Sequence, residues 1–223
     1  QYIEAVDTIN FNRADNSAGA FFEYSYDNLE NFSLVSGVRF DTHNRLGNFI
    51  TPRIHIRYLP KENIIIRASV GSGRKAANIF AENQTLFGTN RVISITQNGG
   101  NIYGLNPEKA WNYGVSVRKI FSLWGGNGDI TADYYVTDFT DQVVVDWEEK
   151  GRISFYNLNG KSRANSFQLA LDYSPFKALN FRFAYKNYDV KTIYNSGFLQ
   201  RPLQAKHIFF GNIGWETDRT IKG

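Results

Sequence analysis

The residues best suited to chemistry in this chain are a glycine-flanked basic run, three histidines, a set of aromatics and a row of arginines. Gly71-Ser72-Gly73-Arg74-Lys75 invites a phosphate-cradling loop, but that motif needs Lys followed by Ser or Thr and then a βαβ helix, whereas Lys75 is followed by Ala76. The glycines there ease a strand into a loop. Arg74 is left as a cation for an anionic ligand or as a solvated loop charge. His43, His55 and His207 form no close pair, and with no cysteine the chain offers no zinc spacing, so no metal site or cofactor is expected. No Gly-x-Ser-x-Gly or paired-carboxylate spacing stands out, and catalysis is unsupported. Phe80, Phe87, Tyr103, Trp147, Tyr156 and Tyr194 are placed to stack on a sugar, a haem or an aromatic chelate, or else to pack their own loops. The candidate ligand contacts are therefore Arg74, Phe80, Tyr103, Trp147 and Tyr194. Arg53, His55, Arg57 and Arg67 form a second, basic set.

The basic set is positioned by the stretch from Phe49 to Lys75. Ile50, Pro52, Ile54, Ile56 and Tyr58 fall on one face and Thr51, Arg53, His55 and Arg57 on the other, a strict period of two that specifies a strand. After the Pro-Lys-Glu-Asn turn the pattern resumes with Ile64, Ile66, Ala68 and Val70 against Arg67 and Ser69, completing a hairpin. One face is apolar and the other charged. Similar alternation recurs, so nine strands are predicted, beginning near residues 18, 32, 49, 63, 111, 129, 165, 179 and 206. Gln1 to Asn16 shows no period and reads as a loop. Gly71 to Lys109 reads as a long functional loop with a short helix over its Ala-Ala-Asn-Ile-Phe-Ala-Glu run. Val143 to Val145 reads as a strand extension beyond the main body, and Tyr188 to Ala205 as a polar and aromatic loop.

The connections carry more information than the strand count. Those at 27–31, 59–62, 121–128 and 175–178 are short, and those at 41–48, 72–110, 140–164 and 189–205 are longer, in strict alternation. An up-and-down antiparallel meander with tight turns at one rim and long loops at the other has this rhythm, as in outer-membrane barrels. A Greek-key sandwich has no reason to obey it. In a barrel wall, Asp133 and Asp172 on polar strand faces are expected to pair with Arg or Lys, and Arg118 and Arg182 add to the basic character of that face.

The totals agree with either an all-β soluble domain or a barrel. At 223 residues, with 16% aromatics, 42% hydrophobic residues and a mean hydropathy of -0.39, the chain suits many short strands, or aromatic girdles around a wet interior. No run of about 18 apolar residues occurs, so helical membrane spans are excluded. A net charge of +4, spread along the chain, gives nucleic-acid binding no support.

Several runs also resemble a known family. GVRFDTH at 37–43, TPRIHIRY at 51–58, RASVGSGRKAANIFAEN at 67–83, GLNPEKAWNYGVSVRK at 104–119, ADYYVTDFTDQVVVD at 132–146 and RPLQAKH at 201–207 resemble, in order, the β-barrel of TonB-dependent outer-membrane receptors. The resemblance implies a bacterial outer-membrane location and uptake of a scarce nutrient: an iron-siderophore, haem, cobalamin or a glycan. It implies as partners the TonB complex, a plug domain, membrane lipid and a small-molecule or glycan ligand. Nothing here resembles the plug, and such barrels have about 22 strands, so residues 1–223 are expected to form a single partial barrel domain. Its open edges are expected to invite strand-paired self-association. Arg53, His55, Arg57 and Arg67 would then face the lumen or the plug. A soluble β-sandwich that binds a ligand or carbohydrate is the alternative.

Overall fold

The computed structural model describes residues 2–6, 9–96, 99–158, 161–194, 197–200 and 205–216. In chain order its strands are β1 (Tyr2–Val6), β2 (Ile9–Arg13), β3 (Ser17–Asp27), β4 (Phe32–His43), β5 (Gly47–Lys61) and β6 (Ile64–Lys75). A short helix α1 (Ile79–Glu82) and a 3-10 turn (Gln84–Leu86) precede β7 (Val92–Ile95), β8 (Glu108–Leu123), β9 (Gly126–Thr140), β10 (Val143–Asp146) and β11 (Arg152–Asn157). The chain continues through β12 (Lys161–Phe176), β13 (Leu179–Tyr194), β14 (Gly197–Gln200) and β15 (His207–Trp215).

The nine predicted strands are β3, β4, β5, β6, β8, β9, β12, β13 and β15. They pair antiparallel with their sequence neighbours in one open sheet. Apart from a shift next to the turn in the β5–β6 and β12–β13 pairs, each pair keeps its register, so the two-faced pattern of each strand joins that of the next. One row reads Leu34, Ile56, Ala68, Val115, Tyr134, Phe167 from β4 to β12. The opposite face reads Val35, His55, Ser69, Gly114, Tyr135, Ser166. A one-residue slip would mix the faces, so the alternation itself fixes the register.

The apolar face carries no second sheet among the described residues: Ile54, Val115, Tyr134 and Leu169 are all exposed. A soluble sandwich would bury them. Apart from Ile65 in β6, the buried apolar side chains among the described residues lie instead at the long-connection rim.

The short turns are locally specified. Asn28 Oδ1 accepts from the backbone N–H groups of Glu30, Asn31 and Phe32 at 3.1, 3.0 and 2.9 Å, closing the β3–β4 turn. Trp124 and Gly125 have φ of 52° and 79°, the positive pair that a two-residue primed hairpin demands.

Four segments depart from expectation. The connection at 41–48, expected to be one of the longer ones, closes to residues 44–46 because β4 runs to His43 and β5 begins at Gly47, so the alternation of short and long fails there. The first sixteen residues, expected as a loop, contain the β1–β2 hairpin; its five-residue strands pair only with each other, so they needed no two-faced wall pattern. Val143–Asp146 does not extend the wall: it pairs with β11, which pairs in parallel with β7. The expected loop from Tyr188 is largely strand, since β13 runs to Tyr194 and pairs with β14.

Candidate functional site

Two places gather the residues suited to binding. The first is a packed unit built from the β6–β8 and β9–β12 connections at the long-loop rim. The parallel pairing of Val92–Ile95 with Arg152–Phe155 joins the two connections into one three-stranded sheet. Ile79, Ile102, Leu105, Ile153 and Phe155 form its buried core, with Phe155 fully enclosed. An aromatic series runs through it: Tyr103 meets Phe80 edge-on at 5.4 Å, Phe80 stacks on Phe87 at 4.7 Å, and Phe87 stacks on Phe155 at 5.9 Å. Asn157 of β11 ties the two connections together just before β8, its Oδ1 accepting from the Asn106 N–H at 2.7 Å and its Nδ2 donating to the Asn106 carbonyl at 3.0 Å.

A polar clamp fastens this unit to the neighbouring rim. The buried Arg13 donates to the Tyr103 hydroxyl at 3.0 Å and to the Ala77 carbonyl at 3.3 Å, and pairs with Asp15 at 2.6 Å. The Arg13 hydrogen bond holds the Asp15 carboxyl below the usual carboxylate range. Arg45 donates to the Asn101 carbonyl while Asn101 donates back to the Arg45 carbonyl, both at 3.1 Å. His43 Nδ1 accepts from the Arg45 and Leu46 N–H groups and closes this turn.

The sequence candidates separate accordingly. Tyr103 is 5% exposed, and Phe80 packs beside it, so in this conformation both rings shape the loop core. Trp147 is exposed at the tip between β10 and β11. Arg74 is exposed, with its guanidinium carbon 5.1 Å from the centre of the Phe49 ring. The Tyr194 side chain lies outside the described residues. The Arg13 clamp was missed by sequence reading; the only trace of it is an arginine and an aspartate two apart before a strand.

The second place is the polar face of the wall. It is concave: cavities on this side are lined by Arg67, Ser116, Arg118, Asp133, His55 and Tyr135. Arg118 pairs with Asp129 and Arg182 with Asp172 across adjacent strands, Arg53 of β5 reaches over Gly37 of β4 to Glu23 of β3, and Arg39 pairs with Asp41 along β4. Asp172 thus has the partner expected of it, whereas Asp133 faces Ser116 and Gln168 with no ion pair among the described residues. Arg57 and Arg67 stand directly opposite each other. No group of three metal-ligating side chains converges among the described residues.

A comparison with curated protein sequences finds no match. Solved structures share the fold. The FrpB iron transporter of Neisseria meningitidis (F5-1 variant, apoprotein form) aligns with a TM-score of 0.65 at 16% identity over 92% of this chain and 31% of its own. A ferric enterobactin receptor, PfeA, of Pseudomonas aeruginosa aligns with a TM-score of 0.63 at 14% identity, again over 92% of this chain and 31% of its own. The hemophore receptor HasR of Serratia marcescens, solved with its hemophore HasA and heme, aligns with a TM-score of 0.61 at 12% identity over 90% of this chain and 39% of its own. The chain therefore spans about a third of the length of these proteins. The family model described as TonB dependent receptor-like, beta-barrel matches residues 3–219. Its members are outer-membrane proteins of Gram-negative bacteria, receptors and transporters rather than enzymes. The chain belongs to the TonB-dependent receptor β-barrel family.

Proposed function

We propose that this chain forms wall and outer loops of a receptor that takes up a scarce nutrient, an iron chelate, haem, cobalamin or a glycan, across the outer membrane with energy from the TonB complex. The observation that carries this reading is the division of labour within the chain. Nine strands make a two-faced wall, and the buried core cluster among the described residues sits in the two longest connections at one rim. A loop unit with its own core holds a binding surface in fixed geometry, where a floppy loop would lose ordering entropy on every binding event. Trp147 and Arg74 supply the exposed stacking surface and cation, while Phe80 and Tyr103 hold the shape beneath them. Tyr194 belongs to the same rim. The lumen set Arg53, His55, Arg57 and Arg67 faces a plug domain that closes the barrel. Residues 1–223 act as one barrel domain, its edge strands β3 and β15 pairing with further wall or with a second copy.

The test is energised accumulation in cells that carry or lack the gene, using labelled ferric siderophores, haem, cobalamin and oligosaccharides in turn. The reading expects at least one ligand to accumulate only with the gene and to stop when a protonophore collapses the proton gradient. Equal accumulation of all of them in both strains contradicts it.

A further inference from the structure

On the apolar face of β8, β9, β12 and β13 the row Val115, Tyr134, Phe167, Asn187 gives way, two rows nearer the loop unit, to Trp111, Asp138, Arg163, Lys191. The row beyond holds Lys109, Thr140 and Lys161. The outermost apolar-face row of β3, β4 and β5 is Ala18, Thr42, Asn48, without a charge. Charge thus gathers on one sector of the wall, which Arg74 of β6 flanks as the Cα partner of Lys109. Arg163, Lys191 and Lys109 are 60%, 48% and 42% exposed. Each also meets a carboxylate: Arg163 donates to Asp138 from Nε and Nη2 at 2.6 and 3.2 Å, Lys191 lies 3.0 Å from Asp189, and Lys109 lies 3.2 Å from Asp141. Exposed pairs of this kind are weak. Each cation keeps N–H groups beyond those its carboxylate takes, because a guanidinium carries five and an ammonium three.

We propose that this band binds the phosphates of a phosphorylated lipid in the outer leaflet of the membrane. The proposal rests on reading the apolar face as the lipid-facing side of an outer-membrane wall, and depth carries it. β12 is centred at Leu169. With that centre at the bilayer midplane and a tilt of about 40°, Arg163 stands about 16 Å and Lys161 about 21 Å out along the membrane normal, at ~3.4 Å per residue. Lipid headgroups occupy roughly 15 to 22 Å from the midplane. The same tilt shifts a Cα partner by about 3 Å per strand, so Lys191 and Lys109 stay within or beside that layer. Trp111 and Tyr113, stacked at 6.3 Å on the same face, form an aromatic pair of the kind that sits at headgroup level. A phosphate accepts the remaining N–H groups through charge-assisted bonds and competes with Asp138 and Asp189 for the rest. A soluble anion is a poorer fit, because the band lies on the face opposite the polar side of the wall.

The test uses the natural receptor purified in detergent, with bisphosphorylated lipid A and its enzymatically dephosphorylated form as probes. Native mass spectrometry reads the bound fraction, and electrophoretic mobility before and after heating reports wall folding. The proposal expects wild type to prefer the bisphosphorylated form by about tenfold or more, and Arg163→Gln/Lys191→Gln to lower that preference below about threefold with an unchanged folded band. Lys61→Gln/Lys119→Gln, which removes two cations from the row Lys61, Ile64, Lys119 at the short-turn rim, should keep it. Asp138→Asn/Asp189→Asn, which frees the cations, should raise it, and this variant decides the matter if the first does not fold. No preference in wild type, an unchanged preference in the folded first variant, an equal loss in the short-turn variant or a fall in the Asp variant each overturns the proposal. Displacement of lipid A by an equal concentration of inorganic phosphate assigns the band to a free anion and overturns it too. A wild type that stays folded and soluble without detergent overturns the lipid-facing reading itself.

Discussion

Leu169 and Gln168 are adjacent residues of β12 on opposite faces of the wall. Leu169 stands between Ala132 and Tyr185 in the apolar belt, and Gln168 between Asp133 and Lys186 on the polar face. From Phe176 at the short-turn end to Leu169 is about 24 Å along the strand at ~3.4 Å per residue, and a tilt of about 40° makes that roughly 18 Å along the membrane normal. The other end of β12 is about as far, which puts Leu169 near the bilayer midplane. A charge on the lipid face at that depth costs roughly 2–4 kcal/mol, while the lumen face tolerates it. Leu169→Arg is therefore expected to destabilise the barrel by about 2–4 kcal/mol, and Gln168→Arg, beside Asp133, by less than about 1 kcal/mol. Guanidinium unfolding of the two variants in phospholipid vesicles measures the difference. Equal costs, or a larger cost at Gln168, would refute the assignment of faces.

Phe155→Ala should remove about 3–5 kcal/mol from the loop core and leave the wall folded; trypsin then cuts near Arg91 and Lys150 faster while the heat-modifiable band is retained. The Arg13–Asp15 clamp should respond to acid alone. Because the Asp15 pKa is lowered in the folded state, its contribution is fully present above the ordinary aspartate value and is lost as pH falls through the lowered folded value. Hydrogen exchange of the segment around Ile102–Leu105, corrected for its intrinsic pH dependence, should therefore stay slow through neutral pH and rise only in that acidic window. Asp15→Asn should remove the step.

The wall was legible because a strand that faces lipid on one side and water on the other repeats a period of two along its whole length. Ile54, Ile56, Arg53 and Arg57 display it without help from any neighbour. The loop unit was not legible. Val92–Ile95 and Arg152–Asn157 are short, and their parallel pairing joins two connections with the whole of β8, β9 and β10 between them, so no local pattern announces it. The same limit governs the aromatics. A loop position gives Tyr103 and Trp147 equal standing, yet Tyr103 is buried under Arg13 and Trp147 is exposed at a hairpin tip, a difference made by tertiary packing alone. The first strands were hidden for another reason: a hairpin paired only with itself has no second face to declare.

The account's central claim is that the chain is a barrel wall with its loop unit outside the cell and its short turns in the periplasm. The chain contains no cysteine, so single-cysteine variants report cleanly. Labelling Trp147→Cys and Lys177→Cys in intact cells with a maleimide that does not cross the outer membrane tests the claim most directly. The account predicts that Trp147→Cys reacts in intact cells and Lys177→Cys only after the outer membrane is permeabilised; labelling of Lys177→Cys in intact cells with Trp147→Cys protected contradicts it.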